Sequence, residues 1–324
     1  MRRTAKLNQR LSPAKPPWRA NIHAAVWLND RKRELSTVDV LLLTYNSLVA
    51  LFILTFGFGD PRFTRLLLAH GLAFVLIGIL AHWHARRRSG LARFVHSTYP
   101  LWALALAHYE SGIINQLHVQ GYFDVWFRDL DRQLFGTLPY LQLAPAVDNF
   151  WVDELMNAAY FAFYPIIIGV FIAMWRKGPR VMEEAVFVFA SCMYGHFLLF
   201  IIFPVVGPTE ARAALFDPQH GLFSQVIYYF VDMGDTPGGA FPSSHCSGSL
   251  VLACLLYKFY GGRPLMLVGP IVLLLWFSTV YLSFHYAVDS IGGLASGTFV
   301  FVTSQLVFLR LRAPAAAQSS AAVY

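Results

Sequence analysis

Eight apolar runs, each long enough for a helix to cross a lipid bilayer, constrain this sequence more than any other feature. A spanning helix needs about 20 predominantly apolar residues. Only 13% of the 324 residues are charged, against roughly a quarter in soluble domains. The sequence therefore predicts an all-α polytopic membrane protein and excludes soluble, disordered, collagen-like, coiled-coil and disulfide-scaffold classes. The runs cover about residues 38–58, 66–84, 97–116, 155–175, 183–205, 243–260, 265–282 and 287–309.

The positions of lysine and arginine predict how these helices are oriented. Cytoplasmic segments of membrane proteins carry an excess of both residues. With eight spans and a cytoplasmic N-terminus, 20 of the 25 lysine and arginine residues fall on the cytoplasmic side. Omitting the third run, which carries His108 and Glu110, makes the split less asymmetric. We therefore expect eight spans, with both termini in the cytoplasm and the longer loops outside.

Most of the net charge of +7 lies in the N-terminal arm and in short loops between the apolar runs. Topology and contact with anionic lipid explain this excess, so no nucleic-acid partner is expected. Cys192, Cys246 and Cys254 show no spacing typical of a disulfide framework or a metal site.

An amphipathic helix is expected near residues 123–134, where it would lie in the membrane interface as either a structural belt or a lipid-entry platform. The chain as a whole is expected to have four regions. The regions are a basic cytoplasmic arm at 1–35, two N-terminal spans within 36–96, a six-helix catalytic membrane domain at 97–310, and a flexible tail at 311–324.

Two histidine-containing segments lie where spans meet the outer loops. GGAFPSSH runs from Gly238 to His245, and STVYLSFHYAVD runs from Ser278 to Asp289. The orientation was derived from charge alone, and it places both segments on the outer side. Two histidines that are distant in sequence are therefore expected at the same depth.

The residue types in these segments suit phosphoryl transfer. His285 and Asp289 are four apart and would share one face of a helix. The carboxylate would then fix the imidazole tautomer and activate its other nitrogen as a nucleophile. His245 could protonate a leaving oxygen as general acid. Backbone N–H groups and hydroxyls before the helix would cradle a phosphate, at Gly238, Gly239, Ser243 and Ser244.

Each feature alone has a simpler interpretation. A lone histidine at the end of a span is usually structural, and H-x3-D occurs as a surface hydrogen bond or as half of a metal site. The Pro-Ser-Ser-His run could be an ordinary helix N-cap. Their coincidence at one membrane face favours a functional site.

The segments resemble motifs of the type-2 phosphatidic acid phosphatase superfamily, which carries K-x6-R-P, P-S-G-H and S-R-x5-H-x3-D. Residues 242–245 match the second motif with Ser in place of Gly, and 278–289 match the third in spacing. The resemblance implies His285 as the nucleophile that forms a phosphohistidine, Asp289 as its partner and His245 as the general acid. It also implies that no metal or other cofactor is needed and that three hydroxyls lie near the phosphate, those of Ser243, Ser244 and Ser278.

The cationic positions of the general pattern are changed here. His196 and Phe203 stand where K-x6-R-P has lysine and arginine, and Thr279 stands where the third motif has arginine. Arg212 is the candidate replacement, and His196 is either a site residue or a satisfied polar residue of the bundle. Such a site suits a phosphodiester monoanion better than a dianion.

The pattern F-P-x-x-G-P followed by Arg212, and the segment F-H-Y-x-x-D-x-x-G-G that begins at Phe284, are more similar to the inositol phosphorylceramide synthase branch of this superfamily. The resemblance implies a transferase that moves a phosphorylated, inositol-type head group from a phospholipid donor to a lipid alcohol acceptor. The alternatives are a phosphatase acting on phosphatidic acid-like or polyprenyl phosphates, and a transporter or non-catalytic membrane protein.

Overall fold

The computed structural model describes residues 35–87, 89–217, 221–234 and 236–312. The chain divides into two units. The first is Leu35–Phe308, and the second comprises Met1–Glu34 and Leu309–Tyr324. Within the second unit only Leu309–Arg312 is described, as the end of the last helix. The predicted basic arm and nearly all of the predicted tail lie outside the described residues.

Helices make up 82% of the described residues, which confirms the all-α prediction. Extended pairing in the described ranges is limited to one bridge between Val205 and Gly239. The helices are α1 (Thr37–Phe56), α2 (Pro61–Arg87), α3 (Gly90–Ile114), α4 (Asp124–Phe135), α5 (Pro139–Val147), α6 (Phe150–Phe161), α7 (Phe163–Lys177), α8 (Pro179–Ile202), α9 (Thr209–Leu215), α10 (Leu222–Gly234), α11 (Ser244–Tyr260), α12 (Leu265–Tyr281) and α13 (Ala287–Arg312).

Every predicted apolar run coincides with a helix, and several of these helices are long and apolar enough to cross a membrane. In the described residues, five segments meet that condition: α1, α2, α6 continued by α7, α8, and α13. Helix α12 is apolar but has 17 residues. The chain is thus an integral membrane protein, while the count of eight spans and the orientation remain predictions.

Helix α8 is the most deeply buried of these five segments and lies at the centre of the bundle. It packs against α1, α3, α7 and α11. Its buried side chains are almost all apolar, and the polar exception, His196, is discussed below. Helix α11, which carries His245, therefore packs directly against this apolar core.

Small residues bring α11 and α13 into close contact. A Cβ atom at Gly297 would lie 2.9 Å from the Cα atom of Ser247, and one at Gly293 would collide with the carbonyl oxygen of Ser243. Glycines four apart allow helix backbones to approach in this way within a membrane. The contact fixes the start of α11 beside the first turns of α13.

We expect Gly293→Ala to destabilise the protein because its methyl group would push α11 away from α13. Overpacking of this kind costs about 1–3 kcal/mol, so the midpoint of thermal unfolding in detergent should fall. Gly169→Ala on α7 is the matched control, since no described neighbouring side chain or packed backbone lies within 4 Å of its added carbon. Equal midpoints for the two variants would contradict the close contact.

Candidate active site

His285 lies in the turn between α12 and α13. The expectation that it shares a helix face with Asp289 is wrong, because α13 begins only at Ala287. The amide N–H groups of Phe284 and His285 both donate to the carbonyl oxygen of Thr279, at 3.0 and 3.1 Å, and so close the end of α12. The turn nevertheless brings His285 Nδ1 within 3.6 Å of Asp289 Oδ2.

Asp289 is fully buried at the first turn of α13. Its Oδ2 atom accepts the N–H of Tyr286 at 2.9 Å, which is the carboxylate half of a capping box. Its own carbonyl oxygen accepts the N–H of Ser243 at 3.0 Å. Asp289 therefore orients the turn that carries His285 and ties it to the start of α11.

His245 lies in the first turn of α11 and faces the same region. Its ring centroid is 6.3 Å from that of His285, which is short enough for one phosphoryl group to contact both imidazoles. Tyr160 stacks on it at 4.4 Å, with its hydroxyl 3.3 Å from Nδ1. Among the described residues none hydrogen-bonds to His245 Nε2 or Asp289 Oδ1, although both atoms are buried. Buried polar atoms of this kind are typical of a functional site.

A stack of flat side chains connects Arg212 to this pair. The guanidinium of Arg212 lies 3.7 Å from the ring centroid of Phe284 and 4.2 Å from that of Tyr228. Phe284 stacks on Tyr160 at 4.2 Å, and Tyr160 stacks on His245. Arg212 is only 7% exposed, so a cation is held on the residue that precedes His285.

The loop before α11 is pinned on one side by Val205 and on the other by α3. The N–H of Val205 donates to the carbonyl of Gly238, and its carbonyl accepts the N–H of Ala240. Gly238 adopts φ +104° against Asn115, whose amide donates to the carbonyl of Pro237 at 2.6 Å. The conformation of Gly238 thus places Gly239 and Ser243 beside the site.

His108 of α3 is a site neighbour that the sequence did not single out. A Cβ atom at Gly239 would lie 3.4 Å from its Cε1 atom, and both His108 and His285 lie within electrostatic range of His245. The signal available in the sequence was a histidine near the outer end of the third apolar run.

Helix α4 contributes two carboxylates that the sequence also did not reveal. Asp131 is fully buried and accepts the N–H groups of Ala287 and Val288, both at 2.9 Å. Burial raises the pKa of its carboxyl, and these two donors oppose the rise. Asp124 accepts the hydroxyl of Tyr286 at 3.2 Å, and burial raises the pKa of that phenol, so it stays a neutral donor.

This arrangement can be compared with known protein families. The sequence pattern of the PAP2 superfamily matches residues 125–303. The chain belongs to the PAP2 superfamily. The match begins at the second residue of α4 and ends at Thr303 in α13. Of the residues named above for this site, His108, Asn115 and Asp124 lie outside it. No curated protein and no solved structure matches the chain. Membership in the PAP2 superfamily makes the protein a lipid enzyme of the phosphatase or phosphotransferase type.

Two positions at which the motifs that the sequence resembles have arginine are filled here by packed, uncharged side chains. Phe203 stacks on Phe123 at 4.1 Å and belongs to the apolar cluster under α4. The hydroxyl of Thr279 lies 2.8 Å from that of Ser290. Both positions therefore carry uncharged side chains that pack against their neighbours.

The predicted serines occupy different positions. The Ser243 hydroxyl accepts the N–H of Cys246 at 3.4 Å and caps α11, as its sequence position suggests. Ser244 is the first residue of α11. The Ser278 hydroxyl donates to the carbonyl of Leu275 within α12. Of the three, Ser243 has the most direct link to the pair, through Asp289.

His196 forms an interhelical hydrogen bond. One ring nitrogen lies 2.6 Å from the carbonyl oxygen of Cys192, and the other lies 3.0 Å from the hydroxyl of Ser296 on α13. This geometry matches the interpretation of His196 as a satisfied polar residue that joins α8 to α13. A contact with phosphate would require one of these bonds to break.

Proposed function

We propose that this PAP2 protein is a transferase that moves a phosphorylated polyol head group, such as phosphoinositol, from a phospholipid to a lipid alcohol. The observation that carries the proposal is the loss of two cationic positions to Phe203 and Thr279, each integrated into its surroundings. A dianionic phosphate monoester needs several cations, whereas a phosphodiester carries one negative charge. Arg212, held over Phe284, supplies one matching cation.

The first half-reaction starts at His285. Asp289 lies beside Nδ1, which leaves Nε2 as the attacking nitrogen. A bond forms between Nε2 and the donor phosphorus, and the bond from phosphorus to the diacylglycerol oxygen breaks. His245 gives its proton to that oxygen, and the phosphorylated head group stays on His285 Nε2 as a phosphohistidine monoester, which keeps one ester bond to the head group.

The second half-reaction reverses these roles. The hydroxyl of a lipid alcohol attacks the phosphorus, His245 accepts its proton, and the bond from phosphorus to Nε2 breaks. His245 and His285 then return to their initial protonation states. The net reaction exchanges one lipid alcohol for another and consumes neither water nor a cofactor.

The surroundings of the histidines support a lipid acceptor over water. The rings of Tyr160 and Phe163 contact the ring of His245, and Phe284, which precedes His285, stacks on Tyr160. An apolar site lowers the local concentration of water and favours an acceptor held in position. The asymmetry of lysine and arginine supports a site on the extracytoplasmic face.

We expect the purified protein to use a phosphodiester donor with a polyol head group faster than phosphatidic acid. Addition of ceramide, or of a diacylglycerol whose acyl chains differ from those of the donor, should divert product from the free head-group phosphate to a new lipid. Both products can be measured by mass spectrometry of lipid extracts from proteoliposomes. Rapid release of inorganic phosphate from phosphatidic acid, unaffected by any lipid alcohol, would overturn the transferase proposal and favour a phosphatase.

We also expect Arg212→Ala to reduce kcat/KM for the donor by roughly 10–100-fold, because a charge-assisted hydrogen bond contributes about 1.5–3 kcal/mol. Arg212→Lys should recover only part of this loss, since lysine lacks the planar group that stacks on Phe284. Arg128→Ala, which removes an exposed cation from α4, is the control and should keep the wild-type value. The proposal for Arg212 fails if both alanine variants behave alike.

A further inference from the structure

Asp131 occupies an unusual position for a charged residue. It follows Phe127 by one helical turn, and these two are the buried residues of α4. Burial of a carboxylate is costly unless hydrogen bonds compensate for the loss of water. Both oxygens of Asp131 are compensated by backbone groups of another helix, the N–H groups of Ala287 and Val288.

Those two N–H groups are the first of α13 and have no acceptor within their own helix. The preceding N–H, that of Tyr286, is accepted by Asp289. Two carboxylates from different helices thus share three consecutive amides. Asp131 accepts the second and third of these N–H groups, so a residue of α4 fixes the conformation of the first turn of α13. The position of Asp289 relative to His285 is fixed with it.

Asp124 holds the same turn from the other end of α4. Its two oxygens accept the N–H groups of Val206 and Gly207 at 3.0 and 2.8 Å, and one of them accepts the hydroxyl of Tyr286. Tyr286 is therefore held through both its backbone and its side chain. The buried face of α4 grips the segment from Tyr286 to Val288, while Trp126 and Leu134 on its outer side are more than half exposed.

We propose that Asp131 is a positioning residue for the His285–Asp289 pair, which it keeps in reactive geometry by fixing the first turn of α13. The proposal rests on the proposed role of His285 as nucleophile. Asp131 does not contact the reacting atoms and acts through Asp289 and the backbone.

A second carboxylate in this protein caps a helix of another segment in the same way, and it serves as a comparison for Asp131. Glu154 of α6 accepts the N–H groups of Phe223 and Ser224, both at 2.9 Å, at the start of α10. This contact has the same chemistry and distances as that of Asp131. Helix α10 carries neither histidine of the pair, so loss of the Glu154 cap should leave the geometry of the pair, and with it kcat, unchanged.

The test compares Asp131→Asn with Glu154→Gln, which make the same chemical change. Asp131→Asn should reduce kcat by roughly 10–100-fold, since misplacement of a reacting group by about 1 Å can cost 10²-fold. The donor KM should change less than about threefold if the loss is one of transition-state stabilisation. Glu154→Gln should keep the wild-type kcat, and so should Asp129→Asn on the exposed side of α4.

A second background separates positioning from a general loss of structure. On an Asp289→Asn background, the additional change Asp131→Asn should reduce kcat further by less than about twofold, because residues that act as one unit are not additive. Independent effects that multiply would overturn the proposal. So would an equal loss of kcat in Glu154→Gln.

Asp131→Glu keeps both acceptor oxygens and the charge, and it covers the case in which Asp131→Asn does not fold. It should recover more kcat than Asp131→Asn, or, if that variant is lost, exceed Asp131→Ala. Amide hydrogen exchange supplies a readout that needs no substrate. In each folded variant that lacks the carboxylate, the amides of residues 286–289 should exchange faster than in wild type, while those of α8 should not.

Different results would refute the proposed function and the positioning role of Asp131. Absence of turnover with every donor would refute the proposed function and leave the exchange result to decide whether Asp131 fixes the turn. Unchanged exchange at residues 286–289 would refute the positioning role whatever the substrate is.

Discussion

The hydrogen bonds at the N-terminus of α13 are the constraint on which the candidate site depends. Three consecutive backbone N–H groups there face the interior of an apolar bundle, where an unsatisfied donor is costly. Asp289 accepts one of them and Asp131 accepts two. The same bonds hold the turn that carries His285. The hydrogen bonds that cap α13 are therefore the same ones that position His285.

Close packing of α11 against α13 sets the position of His245 relative to His285. Gly293 and Gly297 allow the helix backbones to approach, and the N–H of Ser243 reaches the carbonyl of Asp289. His245 follows Ser243 by two residues and is thereby brought within 6.3 Å of His285. Stacked rings then connect His245 to Tyr160 and Phe284, and Arg212 packs on Phe284 at the end of this stack.

The sequence predicted the helices well because long apolar runs permit few alternatives in a membrane. It also predicted that the two histidine segments converge, since both lie at equivalent ends of neighbouring spans. It did not reveal Asp131, whose partners lie 156 and 157 residues further along the chain. A local signal existed, because Asp124, Phe127 and Asp131 share one face of an amphipathic helix, but acidic residues there are usually solvated. The hydrogen bond from His196 to Ser296 likewise depends on which faces of α8 and α13 meet, and helical periodicity alone does not specify that.

The proposed function requires that turnover proceed through a covalent bond between the donor phosphorus and His285. The most direct measurement is to mix the protein with a donor labelled at its phosphate, quench in base, digest, and locate the label by mass spectrometry. We expect an acid-labile label on the peptide that contains His285, and no label in His285→Ala. Product formation with no covalent intermediate, or a label at His245 or Ser243, would contradict it.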